Sequence, residues 1–400
     1  MPQATPRALP LLPAAEGAAP PVATPPGADP PAAAPPDVAP PGPDDWAWQL
    51  RHALRTPDEL ARALRLTPRE RAGVERAAKA GLPVSVTPYY LSLCDPDDPD
   101  CPVRRQCVPV ADEGDEAPGD LEDPLGEIAH EVAPDLVSRY PDRALLLVTD
   151  RCAVYCRFCT RSRMVGEGGG ARALERLEPA FRYLEAHPEL RDVIVSGGDP
   201  LAMATDRLAR IVARLRSIPS VEVIRLATRV PVTLPQRVTG ELARALRPFH
   251  PLWVMTHFNH PKELTPRARE ACELLADHGF PVMNQTVLLR GVNDRAETLE
   301  ALFRGLVRSR VRPYYLLQAD PVRGTAHLRT PLARGLELMA ALQGRLSGIA
   351  LPKFIVDTPG GMGKVPLVPD AIVARRPGET LLRTFRGAVV SYLDPPADGG

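Results

Sequence analysis

Long apolar runs are missing from this 400-residue chain: none approaches the ~20 residues that a membrane-spanning helix needs. Net charge is missing too. The 49 basic and 49 acidic side chains cancel, so neither nucleic acid nor an anionic membrane surface is an expected partner. Nor is there an even set of cysteines. Seven in so long a chain argue against a disulfide framework, and the expected compartment is the cytoplasm. Hydrophobic residues make up 44% of the chain, enough for a sizeable core. Its length exceeds one typical domain but suits a barrel.

Residues 1–44 differ in composition from the rest, with Pro and Ala dominating in stretches such as Ala34-Pro35-Pro36 and Ala39-Pro40-Pro41. Proline removes hydrogen-bond donors and few large apolar groups are on offer, so a disordered tail with polyproline character is expected. Its prolines break any signal-peptide core, and it has too few arginines for a mitochondrial presequence. Order is expected from Asp45, where Trp46 and Trp48 open a helical pattern through Leu54. Further helices are expected over Pro57–Leu64 and Pro68–Lys79, giving a helical cap and connecting loop over residues 45–135. Cys94, Cys101 and Cys107 follow in an Asp- and Pro-rich loop, at spacings that fit no standard metal site. Free thiols are the expectation.

A rhythm starts at Ala144. Short β-rich runs cover Ala144–Thr149, Asp192–Ser196, Glu222–Ala227, Leu252–His257, Val282–Leu289 and Pro313–Gln318. Helical patterns follow them near 173–186, 203–217, 239–247, 265–278, 296–309 and 331–346. Strands alternating with helices imply parallel pairing through right-handed crossovers. The fold class is therefore α/β, with a partial (β/α)6 TIM-like barrel over 136–350 and a distinct segment over 351–400; a doubly wound open sheet is the alternative. In such barrels chemistry collects at the carboxyl ends of the strands.

The first strand runs into TDRCAVYCRFCTRSR, where Cys152, Cys156 and Cys159 are spaced C-x3-C-x2-C with Phe158 before the last of them. Zinc prefers four ligands in paired clusters, and no second pair stands nearby. Three thiolates suit three irons of a [4Fe–4S] cluster, whereas an electron-transfer ferredoxin closes its cluster with four. The open iron resembles that of radical S-adenosylmethionine (SAM) enzymes. The second strand ends in Ser196-Gly197-Gly198-Asp199-Pro200, where glycines permit close backbone approach to a ligand and Asp199 can accept from an ammonium. Alone that string is a common turn; one strand after the cysteine loop it resembles the SAM-binding segment of those enzymes. Thr256-His257-Phe258 ends the fourth strand and Asn284-Gln285-Thr286 lies in the fifth, His257 and Gln285 reading equally as satisfied core groups. Near the end stands DTPGGMGK, whose Lys364 is either a solvated loop lysine or the Schiff-base partner of pyridoxal 5′-phosphate (PLP).

The chain resembles the lysine 2,3-aminomutase family, PLP-dependent radical SAM enzymes, from about Asp45 to Pro395. The strings that carry the resemblance are TPYYLSLCDPDDP, LEDPL, SRYPDRALLLVTDRCAVYCRFCTRSR, VIVSGGDPL, LPQRVT, THFNHPKELT, NQTVLLRGVND, RVRPYYLLQAD and FIVDTPGGMGKVPL. The resemblance implies that Lys364 carries PLP, that Arg139, Tyr140 and Arg143 hold its phosphate, and that Arg161 binds the substrate α-carboxylate. Two guanidiniums and a phenol suit a dianion. It implies SAM contacts at Phe158, Ser196, Gly197, Gly198, Asp199, His257 and Gln285, with the cluster on Cys152, Cys156 and Cys159. Asp320 and Asp357 match the carboxylates that hold the far ammonium of lysine, positions that are not an aspartate pair in the related glutamate 2,3-aminomutases. The implied reaction is interconversion of L-lysine and L-β-lysine by 1,2-amino migration through a 5′-deoxyadenosyl radical.

Departures exist. CTRSRMVG replaces a more arginine-rich run, Leu317 stands where a tyrosine is common, and Met362 replaces a glycine. Arg295 follows GVND and the chain ends SYLDPPADGG without cysteine, so the inter-subunit zinc of the clostridial form is not expected and oligomeric state stays open. Other readings are a mutase for arginine, the aminomutase serving elongation factor P, a PLP-free radical SAM enzyme, and a non-catalytic iron–sulfur protein. Expected partners are the free amino acid and an electron donor such as flavodoxin or ferredoxin.

Overall fold

The computed structural model describes residues 42–79, 83–166 and 169–395. The expected tail therefore lies, up to residue 41, outside the described residues. Helices lie at Trp46–Arg51, Pro57–Ala61 and Pro68–Lys79, the first two each ending three residues earlier than the sequence pattern suggests. The second opens on a capping box, Thr56 with Glu59, followed by a proline at the first helical position.

Ten strands form one sheet in sequence order: β1 (Glu131–Ala133), β2 (Leu136–Tyr140), β3 (Arg143–Thr149), β4 (Asp192–Gly197), β5 (Val223–Ala227), β6 (Leu252–Thr256), β7 (Val282–Leu288), β8 (Val311–Gln318), β9 (Lys353–Thr358) and β10 (Gly363–Leu367). Neighbours from β3 through β9 are all parallel. Helices at Leu174–Ala186, Thr205–Arg216, Gly240–Leu246, Pro266–Asp277, Ala296–Arg308 and Leu332–Leu342 make the crossovers. A doubly wound sheet reverses its strand order at a switch point. This one never reverses, which rules that alternative out. Among the described residues no pairing joins β1 to β10, so the barrel is partial.

The sequence rhythm shows six strands, whereas seven are parallel. The seventh, β9, pairs with β8 through Tyr315↔Lys353, Leu316↔Phe354 and Leu317↔Ile355 and carries the candidate Asp357 into the barrel. Antiparallel β2, paired Tyr140↔Arg143 across the Pro141-Asp142 turn, was likewise not expected. A small antiparallel sheet of β11 (Ile372–Arg376), β12 (Glu379–Arg383) and β13 (Val389–Leu393) follows.

Side-chain alternation sets the two faces. Val193, Val195, Ile224, Leu226 and Val254 are buried against helix stripes such as Leu208, Ile211, Val212 and Leu215. In β7 the intervening Met283, Gln285 and Val287 are only half-buried. They lie on the opposite face of the strand. Among the described residues no helix is long and apolar enough to cross a membrane.

Candidate active site

The cysteine loop leaves β3 after Thr149 and is stitched to the cap by main chain. Val154 bridges Val86, the Tyr155 amide donates to Ser85 O at 2.9 Å, and the Arg157 amide donates to Gln106 O at 3.0 Å. Cys152, Cys156 and Cys159 are partly buried. Burial of the sulfurs pushes all three thiols above the ordinary cysteine value, Cys159 to about 11. Among the described residues, no three Cys, His, Asp or Glu side chains converge on one ion position. Three thiolates on one loop suit a [4Fe–4S] cluster, which takes each of them on a different iron.

Gly197 and Gly198 perform a task that the bare string does not reveal. A Cβ on Gly197, at φ +120°, would lie 2.2 Å from Thr149 O, and one on Gly198 would lie 2.3 Å from Arg151 O. The Gly198 and Asp199 amides donate to those two carbonyls at 2.6 and 2.7 Å. What the glycines let approach is therefore the start of the cysteine loop. Buried Asp199 accepts from the Thr228 hydroxyl (2.6 Å), the Arg229 amide (2.7 Å) and the Leu201 amide (3.0 Å). Three of a carboxylate's roughly four lone-pair sites are thus taken, leaving one for an ammonium.

Across the mouth, the His257 ring meets Phe158 edge-on, with centroids 5.5 Å apart. Its Nε2 is buried with no hydrogen-bond partner, and burial drives its pKa down to about 3. A neutral imidazole with an unsatisfied nitrogen beside the cysteine loop fits a polar ligand such as SAM. Gln285 stands on the half-buried face of β7.

Arg161 faces Ser196 Oγ at 3.4 Å and is bound along one edge by Glu127. Glu127 also takes Arg163 at 3.1 Å. Its burial would raise its pKa, but the two guanidiniums outweigh that and hold it below the usual value. Arg161 keeps free donors for a carboxylate, since a guanidinium has five.

β9 and β10 place Lys364 opposite Asp357, and their side chains form an ion pair. The Lys364 amide donates to the Tyr140 hydroxyl at 2.9 Å. Arg143 stacks on the Tyr140 ring at 4.0 Å, with Arg139 at 5.9 Å. Tyr140 therefore reaches Lys364, with both arginines over its ring, because the β2–β3 hairpin doubles back at Pro141. Arg139 donates to Leu125 O at 2.9 Å and lies 3.6 Å from Asp357 Oδ1, a buried oxygen without a hydrogen-bond partner. Burial first, then the Asp357 charge, pushes Asp320 up to about 7, with Lys364 and Arg139 opposing. The aldehyde and phosphate of PLP fit this amine and cationic cradle, and the orphaned acid oxygen fits a cationic substrate end.

Three residues of this site escape sequence reading. Glu127 orients Arg161; Arg229 donates from Nη1 to Cys156 Sγ at 2.7 Å; Glu263 bonds Arg229 at 2.9 Å. Their partners lie 34 to 73 residues away in the chain, so no local spacing signals them.

Residues 339–398 match the Lysine-2,3-aminomutase family model and residues 146–302 the Radical SAM superfamily model. The L-lysine 2,3-aminomutase of Clostridium subterminale is 47% identical over 352 residues, 88% of this chain and 84% of that enzyme. That of Acetoanaerobium sticklandii is 46% identical over 352 residues, covering 88% and 85%. The glutamate 2,3-aminomutase of Clostridioides difficile is 39% identical over 357 residues, covering 88% and 84%. Similarity thus extends to relatives with oppositely charged substrates, and the pocket must decide between them.

Proposed function

Since the chain belongs to the lysine 2,3-aminomutase family of radical SAM enzymes, we propose that it interconverts L-lysine and L-β-lysine. The observation that carries the substrate is the acid pair Asp320 and Asp357. Burial first, and then the Asp357 charge, raises the Asp320 pKa even with Lys364 and Arg139 nearby. The substrate's far ammonium favours the ionised pair, whereas a glutamate side chain would add a third negative charge.

When bound, the cluster and SAM supply a hydrogen-abstracting carbon radical, and PLP supplies a conjugated ring that carries the amino nitrogen through its migration. The residues hold and orient. Cys152, Cys156 and Cys159 would ligate the cluster; Phe158, Ser196, Asp199, His257 and Gln285, with the strand end formed by Gly197 and Gly198, would flank SAM. Lys364 offers the amine for PLP, and Tyr140, Arg139 and Arg143 offer the phosphate cradle. Arg161, fixed by Glu127, takes the α-carboxylate while Asp320 and Asp357 take the ω-ammonium. Pinning both ends of a flexible substrate would hold its C2–C3 bond still for the reaction, where positioning and exclusion of water matter most. A low-potential cluster needs a reducing compartment, so we place the protein in the cytoplasm, with a flavodoxin or ferredoxin as electron donor and a homo-oligomer as a possible assembly.

The test is substrate competition. Anaerobic, cofactor-loaded protein is offered L-lysine, L-arginine and L-glutamate in equal amounts, and products are followed by mass spectrometry. Rearranged lysine alone supports the reading. Preferred rearrangement of arginine would transfer the reaction to the other cationic substrate, and rearranged glutamate would overturn the acid-pair argument.

A further inference from the structure

We propose that Arg229 is a positioning residue for the iron–sulfur cluster: its buried guanidinium holds the Cys156 sulfur and raises the cluster's reduction potential. The inference rests on reading Cys152, Cys156 and Cys159 as cluster ligands.

Arg229 stands two residues past β5, at the carboxyl end of the barrel. Every nitrogen of its side chain is engaged. Nη1 donates to Cys156 Sγ at 2.7 Å and Nε to His257 O at 3.2 Å. Nη2 contacts Glu263 Oε1 at 2.9 Å, Gln106 Oε1 at 2.5 Å and the Tyr90 hydroxyl at 3.0 Å. These partners come from the cap, from the loop after β6 and from the cysteine loop. A guanidinium tied on all sides cannot swing away from the sulfur.

The pair is deeply buried, with Arg229 8% exposed and Glu263 0%. Burying an ion pair costs desolvation that its attraction seldom returns as net stability. A brace between cap and barrel needs no charge, because apolar side chains would pack there at lower cost. What only a cation can do is act on the sulfur. Reduction adds one negative charge to the cluster, and a positive group hydrogen-bonded to a ligand sulfur stabilises that charge in a medium of low dielectric. Glu263 offsets this only in part. It binds Nη2 while Cys156 binds Nη1, so the guanidinium stands between the acid and the sulfur.

The experiment is a redox titration followed by electron paramagnetic resonance, without SAM or amino acid, on anaerobically reconstituted wild type, R229K, R229Q and R229Q/E263Q. Iron, sulfide and melting temperature are measured alongside. The double variant leaves no buried acid unpaired and guards against a folding failure of R229Q alone. The account expects full iron in R229K and R229Q/E263Q. At fixed poise, R229Q/E263Q should show a reduced-to-oxidised ratio at least tenfold below wild type, ~59 mV for a one-electron couple. R229K should lie between. An unchanged midpoint in a fully loaded R229Q/E263Q overturns the inference and leaves the cysteine assignment standing. Loss of iron from that folded variant would make Arg229 purely structural and equally overturn it. A wild type that holds no cluster would refute the cysteine reading itself, and the inference with it.

Discussion

The carboxylate of Glu127 binds the edge of the Arg161 guanidinium, Oε1 lying 2.9 Å from Nε and 2.7 Å from Nη2. Two donors held by one carboxylate fix the plane in which Arg161 can meet a second carboxylate. Glu127→Gln keeps the shape and removes the charge. The expected outcome is a higher KM for lysine with kcat nearly kept, kcat/KM falling on the order of 30-fold for ~2 kcal/mol of lost charge-assisted bonding. Steady-state kinetics across lysine concentrations checks it; an unchanged KM would remove Glu127 from the account.

The glycines at the end of β4 carry a stability prediction. Gly198→Ala sets a Cβ 2.3 Å from the Arg151 carbonyl, an overlap that backbone must move to relieve. It should cost ~1–3 kcal/mol and reduce iron incorporation, since Arg151 precedes Cys152. Gly348→Ala has nothing within 4 Å of its Cβ and should change stability by no more than ~0.5 kcal/mol. Denaturant unfolding of both variants, with iron counts, separates them.

Why the glycines could be found but not understood from sequence is a matter of distance along the chain. The cysteine loop, the six β–α units and the Lys364 turn are local patterns, legible as spacing, alternation and composition. Asp357 was found by resemblance, but its seat on a seventh parallel strand was not, because Lys353–Thr358 follows the last helical pattern with no further helix to mark the unit. No pattern in the sequence singles out Arg229 or Glu263. Only folding brings Arg229 to Gln106 and Tyr90, 123 and 139 residues away, and burial then turns a common residue type into an informative one.

The acid pair predicts a pH dependence. Asp320 has a folded pKa raised to about 7, against ~3.9 when unfolded. Between those values the folded state binds more protons, so substrate-free protein loses stability as pH rises through that window, and the cost is complete above it. A cationic ligand favours the ionised form. Lysine binding to the PLP-loaded protein should therefore tighten as pH rises through about 7 and release a proton below it. Asp320→Asn should abolish that release and weaken binding ~10-fold or more. Calorimetry in two buffers of different ionisation enthalpy measures the proton directly; equal observed heats in the two buffers would contradict the assignment.

Lys364 separates the two halves of the chemistry. Lys364→Ala should lose the PLP absorbance on dialysis while keeping its iron and its ability to cleave SAM. It also removes a cation that lowers the Asp320 pKa, so Asp320 should titrate higher in the variant. Retention of tightly bound PLP without Lys364 would point to another anchoring amine.

The central claim is that one substrate, pinned at both ends, has its nitrogen moved from C2 to C3. Anaerobic, reconstituted protein with PLP, SAM and dithionite is given lysine carrying ¹⁵N on its α-amine, and the product is resolved by mass spectrometry. The account predicts β-lysine with the label on the C3 nitrogen. Cleavage of SAM with no β-lysine, or β-lysine that has exchanged its label with unlabelled ammonia, would contradict it.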